Sequence, residues 1–234
     1  YTRKIVAASD VYKRQALVSG TLYPAICAVQ NRLDLLRETF VKTNQLALMW
    51  AMPLGMALTL FAGDLVHFVL GDKWRPAVGL LRIIGGVAAV SHIAFNWDDY
   101  FRARADTRPI AYASLAFTVT LLGVGIPLLF SYGLVGLGIG IAAGAAAHLL
   151  FRAWFVSRLF HGFRFLRHAT RAILPAIPAV AVVLIVRAIE TGPRTLGAAV
   201  GELLSFLLVT VLATWLLEGG LVREAFGYLL ARER

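Results

Sequence analysis

Charged residues are scarce in this sequence. Asp, Glu, Lys and Arg together make up 15% of its 234 residues, whereas a soluble domain carries about 25%. Hydrophobic residues make up 59%, and the mean hydropathy is +0.74. This balance excludes an ordinary soluble domain and predicts an integral membrane protein. The apolar segments do not alternate with a period of two, so we expect the spanning elements to be helices rather than barrel strands.

Cysteine and the common catalytic motifs are also nearly absent. Cys27 is the single cysteine, so no intrachain disulfide can form, and its apolar neighbours indicate a packing role. The sequence contains no HExxH, Cys-x-x-Cys or Walker motif. We therefore predict no catalytic residues, no metal site and no cofactor, and we expect a protein that is not an enzyme.

Acidic residues are outnumbered by basic ones, 13 against 23, which gives a formal net charge of +10. A basic balance can indicate nucleic-acid binding. Here the basic residues lie at the ends of apolar segments, where the positive-inside rule places them. The excess charge therefore predicts a membrane topology, and we expect no nucleic-acid partner.

The beginning of the chain differs from the rest. Residues 1–15, YTRKIVAASDVYKRQ, are polar and give way abruptly to ALVSGTLYPAIC. The run AASDVYKRQ resembles the translation of a transposon-based sequencing adapter. We interpret residues 1–15 as an artefact of this kind, and we expect the chain to be a fragment whose natural sequence before Ala16 is missing.

Hydropathy predicts a lobe of transmembrane helices over residues 16–217. A hydrocarbon core about 30 Å thick needs roughly 20 apolar residues of helix. The predicted spans are 16–29, which is too short and is interpreted as the end of a truncated helix, and then 45–70, 76–101, 110–130, 134–156, 172–189 and 195–217. The predicted fold class is an all-α integral membrane protein with six complete transmembrane helices plus a truncated N-terminal helix. Residues 218–234 are predicted to form a cytoplasmic amphipathic tail.

The distribution of lysine and arginine predicts the orientation. One set of alternate loops carries Arg32, Arg37, Lys42, Arg102, Arg104, Arg108, Arg158, Arg164, Arg167, Arg171, Arg223, Arg232 and Arg234. The opposite set carries Lys73, Arg75, Arg187 and Arg194. The positive-inside rule places the richer set, and with it the C-terminus, in the cytoplasm.

Several short motifs resemble one group of transporters. A Tyr-Pro pair at 23–24 ends an apolar segment, and an amphipathic stretch then leads into a span kinked by Pro53. The turn GDKW at 71–74 precedes the next span, which ends in YFRARAD at 100–106. Over residues 16–234 these features resemble the C-terminal half of bacterial polysaccharide or oligosaccharide flippases of the multidrug/oligosaccharidyl-lipid/polysaccharide (MOP) exporter superfamily.

The resemblance implies one lobe of a two-lobe transporter in the bacterial cytoplasmic (inner) membrane. Such flippases move undecaprenyl-diphosphate-linked oligosaccharide from the cytoplasmic to the periplasmic leaflet by alternating access, for the synthesis of surface polysaccharide such as O-antigen, exopolysaccharide or capsule. The implied partners are the lipid-linked oligosaccharide, membrane lipid, and polysaccharide polymerase and chain-length proteins. The N-terminal lobe lies outside this sequence, so we expect that the chain alone does not transport.

Candidate substrate-binding residues are the polar groups inside the predicted spans. Such groups are costly in lipid unless they face protein or water, and a lipid diphosphate needs cations in a groove. Arg82 and Arg152 are candidates for phosphate binding, with snorkelling to the interface as the alternative for each. His92 and Asn96 are candidates for sugar contacts, and His92 also for proton relay or for hydrogen-bonded packing.

Three acidic residues are candidates for coupling transport to a cation gradient. Asp98 and Asp99 lie near the cytoplasmic end of the span 76–101, where a solvated helix end is the alternative. Glu202 lies inside the last span, and it is predicted either to act as a coupling acid or to pair with an arginine on a neighbouring helix.

Two other functions remain open. A multidrug cation antiporter of the same superfamily would favour acidic and aromatic residues in its cavity, and Arg82 speaks against it. A membrane enzyme of polysaccharide assembly, such as a polymerase or ligase, usually needs a large extracytoplasmic loop, and the predicted outer loops are short. A scaffold without transport is disfavoured by the charged groups within the membrane.

Overall fold

Helix accounts for almost all of the fold. In a computed structural model of the protein, the described residues are 23–24, 26–161, 163–190 and 192–231, and no strand occurs among them. This confirms the predicted all-α class. The interpretation of residues 1–15 falls outside the described residues, as do most of the truncated helix predicted at 16–29 and the basic residues Arg232 and Arg234.

The described helices vary widely in length. They are α1 (Leu33–Leu65), α2 (Val78–Ser91), α3 (Trp97–Ala103), α4 (Arg108–Thr120), α5 (Ile126–Leu159), α6 (Phe165–Ile173), α7 (Ile177–Ile189) and α8 (Leu196–Ala231). Segments of π-helix continue α1 at Val66–Leu70 and α4 at Leu121–Gly125, and 3-10 segments occur at Asp72–Ala77 and Leu174–Ala176.

Four segments are long and apolar enough to cross a membrane. They are Leu33–Leu70, Arg108–Leu159, Phe165–Ile189 and Leu196–Gly220. Their outer surfaces expose large apolar side chains, including Phe130 at 85% and Leu216 at 81% of full exposure. Water would disfavour such surfaces and lipid accommodates them, so the chain is a multi-pass membrane protein. The count of six complete spans stays a prediction.

The longest of these segments folds back on itself. Gly133 has a φ of 61°, which glycine adopts without strain, and the helix axis is interrupted there. Residues on the two sides of Gly133 are packed against each other: Gly140 against Gly125, Gly136 against Leu128, and Gly144 against Phe117. Arg108–Leu159 is therefore an antiparallel helical hairpin, with its turn where the uncharged loop 131–134 was expected.

The predicted span 76–101 is not one helix. α2 ends at Ser91, residues 92–96 form a turn, and α3 begins at Trp97. Ala94 in this turn has a φ of 59°, a conformation that residues other than glycine rarely adopt. An apolar run of this length predicts an unbroken helix, and the break depends on polar side chains from other helices that hydropathy does not detect.

Two other predicted boundaries also differ. The span expected to begin at residue 45 lies within α1, which is continuous from Leu33 and buries Leu36 and Phe40 before the apolar run starts. The amphipathic stretch before residue 45 is therefore the first part of the same helix and not a separate segment. At the other end, α8 continues to Ala231 with a break at Glu218, where φ is −126° and ψ is 19°.

The long helices pack side by side around α1. α2 and α8 both pack on α1, the α4–α5 hairpin packs on α2 through α5, and α7 packs on α8. Glycine permits the closest of these approaches, since a Cβ placed on Gly55 of α1 would lie 2.6 Å from the backbone of Gly85 and Ala89 in α2. Small residues at such contacts let helices in lipid gain dispersion energy over their whole length.

The hairpin packing yields a test with a matched control. Replacing Gly140 with Ala puts a methyl group against the backbone of Gly125. We expect the Gly140→Ala variant to lose about 1–3 kcal/mol of unfolding free energy, because overpacked contacts must separate. Unfolding in detergent, followed by tryptophan fluorescence during titration with sodium dodecyl sulfate, measures this change.

Gly123→Ala is the control, because nothing lies within 4 Å of a Cβ placed there. It is in the same hairpin and makes the same chemical change, so it should leave stability unchanged or raise it by up to about 1 kcal/mol. Equal losses in the two variants would show that the close contact between the arms does not stabilise the hairpin.

Candidate functional site

The break between α2 and α3 is the most unusual feature of the described fold. Inside an apolar bundle, each interruption of a helix leaves backbone groups that cannot bond to water. Ile93 and Ala94 lie in the break and are 2% and 0% exposed. Local turn bonds satisfy part of the backbone, since the Ile93 amide donates to the Val90 carbonyl at 3.0 Å. The remaining carbonyls need partners from outside the segment.

Arg152 of α5 supplies those partners. Its Nη1 donates to the carbonyl oxygens of Ser91 at 2.7 Å and Ile93 at 2.8 Å, and its Nη2 lies 3.0 Å from Nδ1 of His148. The guanidinium carbon is 5.9 Å from the centre of the Trp97 ring. A cation at the carbonyl end of α2 is also favoured by the helix dipole. Arg152 is 7% exposed, so it caps a broken helix and does not snorkel to the interface.

Asn44 of α1 binds the other side of the break. Its Nδ2 donates to the His92 carbonyl at 3.0 Å, and its Oδ1 accepts from the Ala94 amide at 3.1 Å. The same Oδ1 lies within hydrogen-bond distance of Nε2 of His168 in α6. Since Oδ1 can only accept, this contact requires a proton on Nε2. One buried amide thus connects α1, the break and α6.

A second polar contact lies one residue further along the break. Asn96, which is 4% exposed, donates from Nδ2 to Oγ1 of Thr43 at 2.8 Å. Oδ1 of Asn96, Oδ1 of Asp98 and the hydroxyl of Tyr100 are buried and have no hydrogen-bond partner among the described residues. This part of the site therefore retains hydrogen-bonding capacity that the described protein does not use.

An open cleft of about 420 Å³ lies next to Arg152, between α2, α4 and α5. We call it the Arg152 cleft. Its polar lining consists of Ser91, Ser114, Thr118, His148 and Arg152. The other lining residues are apolar, namely Val87, Phe117, Ile141, Ala145 and Leu149. A surface with one guanidinium, one imidazole, three hydroxyls and no carboxylate can bind sugar hydroxyls or an anion, and it offers nothing to balance a cation.

A separate ion-pair network joins the C-terminal end of α1, the C-terminal end of α7 and the N-terminal end of α8. Arg194 bonds to both oxygens of Asp64, from Nε and Nη2 at 2.8 Å each. Arg187 lies 2.9 Å from Glu202 through Nε and 3.2 Å from Asp64 through Nη2. Arg194 also contacts both Glu202 oxygens. Two arginines thus hold the buried carboxylate of Glu202 and the partly buried carboxylate of Asp64, with Glu190 at 3.1 Å from Arg194 on the rim.

The residues singled out from the sequence divide into three groups. His92, Asn96 and Arg152 meet at the break, and Asp98 and Asp99 follow on the first turn of α3. Arg82 lies on the exposed surface of α2, near Gly63, and its guanidinium makes no ion pair or hydrogen bond with the described residues. Glu202 lies in the ion-pair network, so the structure shows the arginine pairing that was one of its two alternatives.

The residues gathered at the break differ in what they contact. The His92 imidazole is exposed and donates from Nδ1 to the Ala88 carbonyl at 2.7 Å. Asp98 is half-buried and has Arg102 at 4.0 Å from its Oδ2. Asp99 is half-buried as well. Of the four predicted substrate-binding residues, Arg152 alone lines the Arg152 cleft, and the same guanidinium caps the broken helix.

Sequence reasoning missed Asn44, Thr43, His148 and His168. His148 could have been found, because it precedes Arg152 by four residues and so shares its helical face. Asn44 and His168 lie far apart in the chain, and nothing local to either residue indicates their contact. Arg187 was assigned to an outer loop. Because Glu202 inside a span needs a positive partner, a search for a matching charge on a neighbouring span could have identified Arg187.

Comparison with known proteins gives two matches. Residues 6–79 match a family described as "Polysaccharide biosynthesis protein". The matched range thus begins within the residues interpreted as an artefact. The chain is also 25% identical over 155 residues to a Klebsiella pneumoniae protein named "Uncharacterized membrane protein in cps region".

This relative is considerably longer than the chain. The aligned residues cover 64% of the chain and 31% of the relative, so the chain spans about a third of the length of the protein that it matches. No solved structure matches the chain. The chain is similar to membrane proteins of polysaccharide biosynthesis, which at this level confirms the resemblance inferred from its motifs.

The capping role of Arg152 can be tested by removing its charge. In the Arg152→Gln variant the shorter amide cannot reach both the Ser91 and Ile93 carbonyls, so at least one is left buried without a partner. We expect a loss of about 3 kcal/mol in unfolding free energy. Titration with sodium dodecyl sulfate measures it, as for the glycine variants.

Arg158→Gln serves as the control for Arg152→Gln. Arg158 lies on the same helix, is exposed, and stacks at 4.0 Å on the Trp154 ring. Its loss should lower stability by less than about 1 kcal/mol. If the two variants are equally stable, the break does not depend on the guanidinium of Arg152.

The ion-pair network predicts unequal effects for two glutamates. The Glu202 side chain is 4% exposed and contacts two arginines, whereas the Glu190 side chain is 28% exposed and contacts one. We expect Glu202→Gln to lower the unfolding free energy by about 2 kcal/mol, because it removes the buried carboxylate that compensates two partly buried arginines. Glu190→Gln should lower it by less than about 1 kcal/mol. The reverse order, measured in the same titration, would contradict the network as described.

Proposed function

We propose that the chain is part of a flippase that moves undecaprenyl-diphosphate-linked oligosaccharide across the inner membrane by alternating access. The proposal combines the similarity to polysaccharide biosynthesis proteins with the chemistry of the Arg152 cleft. The observation that carries it is the cleft itself: an intramembrane surface with cationic and hydroxyl groups and no acid among its lining residues. A transporter of this kind needs no cofactor and no catalytic residue.

The cleft suits the polar part of such a substrate. Oligosaccharides present many hydroxyls that each donate and accept hydrogen bonds, and Ser114, Thr118 and His148 offer matching groups. The diphosphate needs a cation that is not already neutralised. Arg82 meets this condition, since its guanidinium is exposed and unpaired among the described residues. We assign Arg82 to the diphosphate, and Arg152, His92 and Asn96 to the sugar end.

The break between α2 and α3 is where we place the conformational change that alternating access requires. Discontinuous helices line the central sites of many secondary transporters, where the half-helices can tilt separately. In this chain α2 and α3 are joined by residues 92–96 and held by Arg152 and Asn44. We propose that α2 moves relative to α3 about this joint. Asp98 and Asp99 remain our candidates for cation coupling, and Glu202 has a structural role because two arginines hold its carboxylate.

The alternatives fit the geometry less well. A multidrug cation antiporter would place a carboxylate in its cavity, and the lining of the Arg152 cleft contains none. A polymerase or ligase would need a large outer loop, and the connections at 71–77, at Gly133 and at 190–195 are short. The expected partners are the lipid-linked oligosaccharide, membrane lipid, and polymerase and chain-length proteins, with no nucleic acid.

The proposal is tested in the complete protein. Long-read sequencing of the source DNA recovers the reading frame upstream of Ala16, and we expect it to encode a second transmembrane lobe. The recovered gene is then used to restore surface polysaccharide in a bacterial strain that lacks its own flippase. A full-length protein that is inserted in the membrane and leaves lipid-linked oligosaccharide in the cytoplasmic leaflet would contradict the proposal.

A variant that fills the cleft separates transport from folding. Ser114 lines the cleft on the exposed side of α4, so Ser114→Leu removes space and a hydroxyl without disturbing Arg152. We expect surface polysaccharide to fall at least about tenfold with unchanged protein level, because the sugar is excluded. Ser131→Leu, at the exposed hairpin turn, is the control and should restore polysaccharide as the wild type does. Full activity of Ser114→Leu would exclude this cleft as the sugar site.

A further inference from the structure

A second polar surface lies along α6, outside the Arg152 cleft. It is a groove of about 380 Å³ between the first turns of α1 and the α5–α6 connection with α6. We call it the basic groove. Its lining includes four arginines, Arg37, Arg164, Arg167 and Arg171, above an apolar floor that contains Val41 and Phe163.

The helical repeat of α6 places its basic residues together. Residues 167, 168 and 171 follow a spacing of one and three, so they lie on one face of α6, and Arg164 directly precedes the helix. His168 on this face is 6% exposed and bonded to Asn44 of α1. This contact holds α6 against α1, and it therefore fixes the position of the groove between them.

The positive charge of the groove is poorly balanced by the protein. Arg171 bonds to Glu218 of α8 at 3.1 Å. The side chains of Arg37, Arg164 and Arg167 make no hydrogen bond or ion pair with the described residues, and no acidic residue lines the groove. Several guanidinium groups held close together repel one another unless an anion lies between them. The groove therefore has the electrostatics of an anion site.

The surroundings of the groove are apolar. The segment Phe165–Ile189, which begins in the groove, is among those long and apolar enough to cross a membrane. Leu166, Leu174 and Ile177 follow on its outer surface at 77%, 49% and 52% exposure. The arginines thus lie where a lipid headgroup meets the hydrocarbon region. A free anion would contact the arginines alone, whereas a lipid would contact the arginines and the exposed apolar side chains beside them.

We propose that the basic groove binds the phosphate headgroup of an anionic phospholipid. Guanidinium groups bind phosphate oxygens in a planar fork, and basic pockets between transmembrane helices commonly hold anionic headgroups. Arg37, Arg164 and Arg167 contact the phosphate, and the acyl chains follow the exposed leucines of α6 and the following turn. The site is separate from the Arg152 cleft, so it does not depend on the proposed flippase activity.

The test compares two double variants of the full-length protein recovered from the reading frame. The groove variant is Arg164→Gln with Arg167→Gln. The control is Arg104→Gln with Arg108→Gln, which removes the same charge from exposed positions outside the groove. Each protein is purified in detergent and titrated with phosphatidylglycerol, and bound lipid is counted by native mass spectrometry. Phosphatidylcholine and inorganic diphosphate are titrated in parallel.

Each juxtamembrane arginine contributes about fivefold to the affinity for an anionic lipid surface, so the groove variant should bind phosphatidylglycerol about 25-fold more weakly. The control variant should match the wild type, and phosphatidylcholine should bind weakly to all three. An Arg164→Lys, Arg167→Lys variant should recover most of the binding, which shows that the loss comes from charge and not from misfolding.

Three results would overturn the proposal. Equal weakening in the groove and control variants would indicate a general charge effect. Equal binding of phosphatidylcholine and phosphatidylglycerol would show that the phosphate charge is not recognised. Displacement of phosphatidylglycerol by micromolar inorganic diphosphate would identify the groove as a site for a free anion. Transport assays take no part in these measurements, so failure here is distinct from failure of the proposed function.

Discussion

The Arg152 guanidinium does for this bundle what water does for a soluble protein: it satisfies helix carbonyls that have no partner in their own chain segment. In hydrocarbon no solvent can take this role. With the Ser91 and Ile93 carbonyls satisfied, the chain can stop α2, turn, and start α3 inside the protein. α3 can then bury Trp97 and Tyr100 completely, and Tyr100 meets Phe40 of α1 edge to face at 5.3 Å. The aromatic end of the core follows from one buried cation.

Sequence reasoning was sufficient for the properties that a segment carries within itself. Hydropathy predicted the helical membrane class, and the boundary between the predicted spans 110–130 and 134–156 falls where the hairpin turns. It failed at 76–101, because the partners that stabilise the break, Asn44 and Arg152, lie about fifty residues away on either side. For the candidate site it found Arg152 and Asn96 as costly intramembrane groups but not Asn44 or His168, since a polar residue near a span end has an unremarkable local pattern.

The two charged regions of the bundle are built on opposite principles. Around Asp64 and Glu202 the carboxylates are matched by Arg187 and Arg194, so the charges neutralise one another and fasten α1 to α7 and α8. Around α6, Arg171 is paired with Glu218, whereas the side chains of Arg37, Arg164 and Arg167 have no acidic partner among the described residues. A matched network resists change, because removing either partner leaves a buried charge. An unmatched set keeps its binding capacity for a ligand. The first region therefore fastens helices together, whereas the second is available to bind a ligand.

The closed hairpin at Gly133 also bears on how the chain enters the membrane. Its turn, Ser131–Leu134, carries no charge, so moving it through the hydrocarbon core requires no ionised group to lose its hydration. Its arms contact each other through glycine backbones and need no third helix to close. Arg108 and Arg158 lie at the two open ends of the hairpin. The hairpin thus has the two properties that insertion as a single unit requires: an uncharged turn and arms that pack on each other.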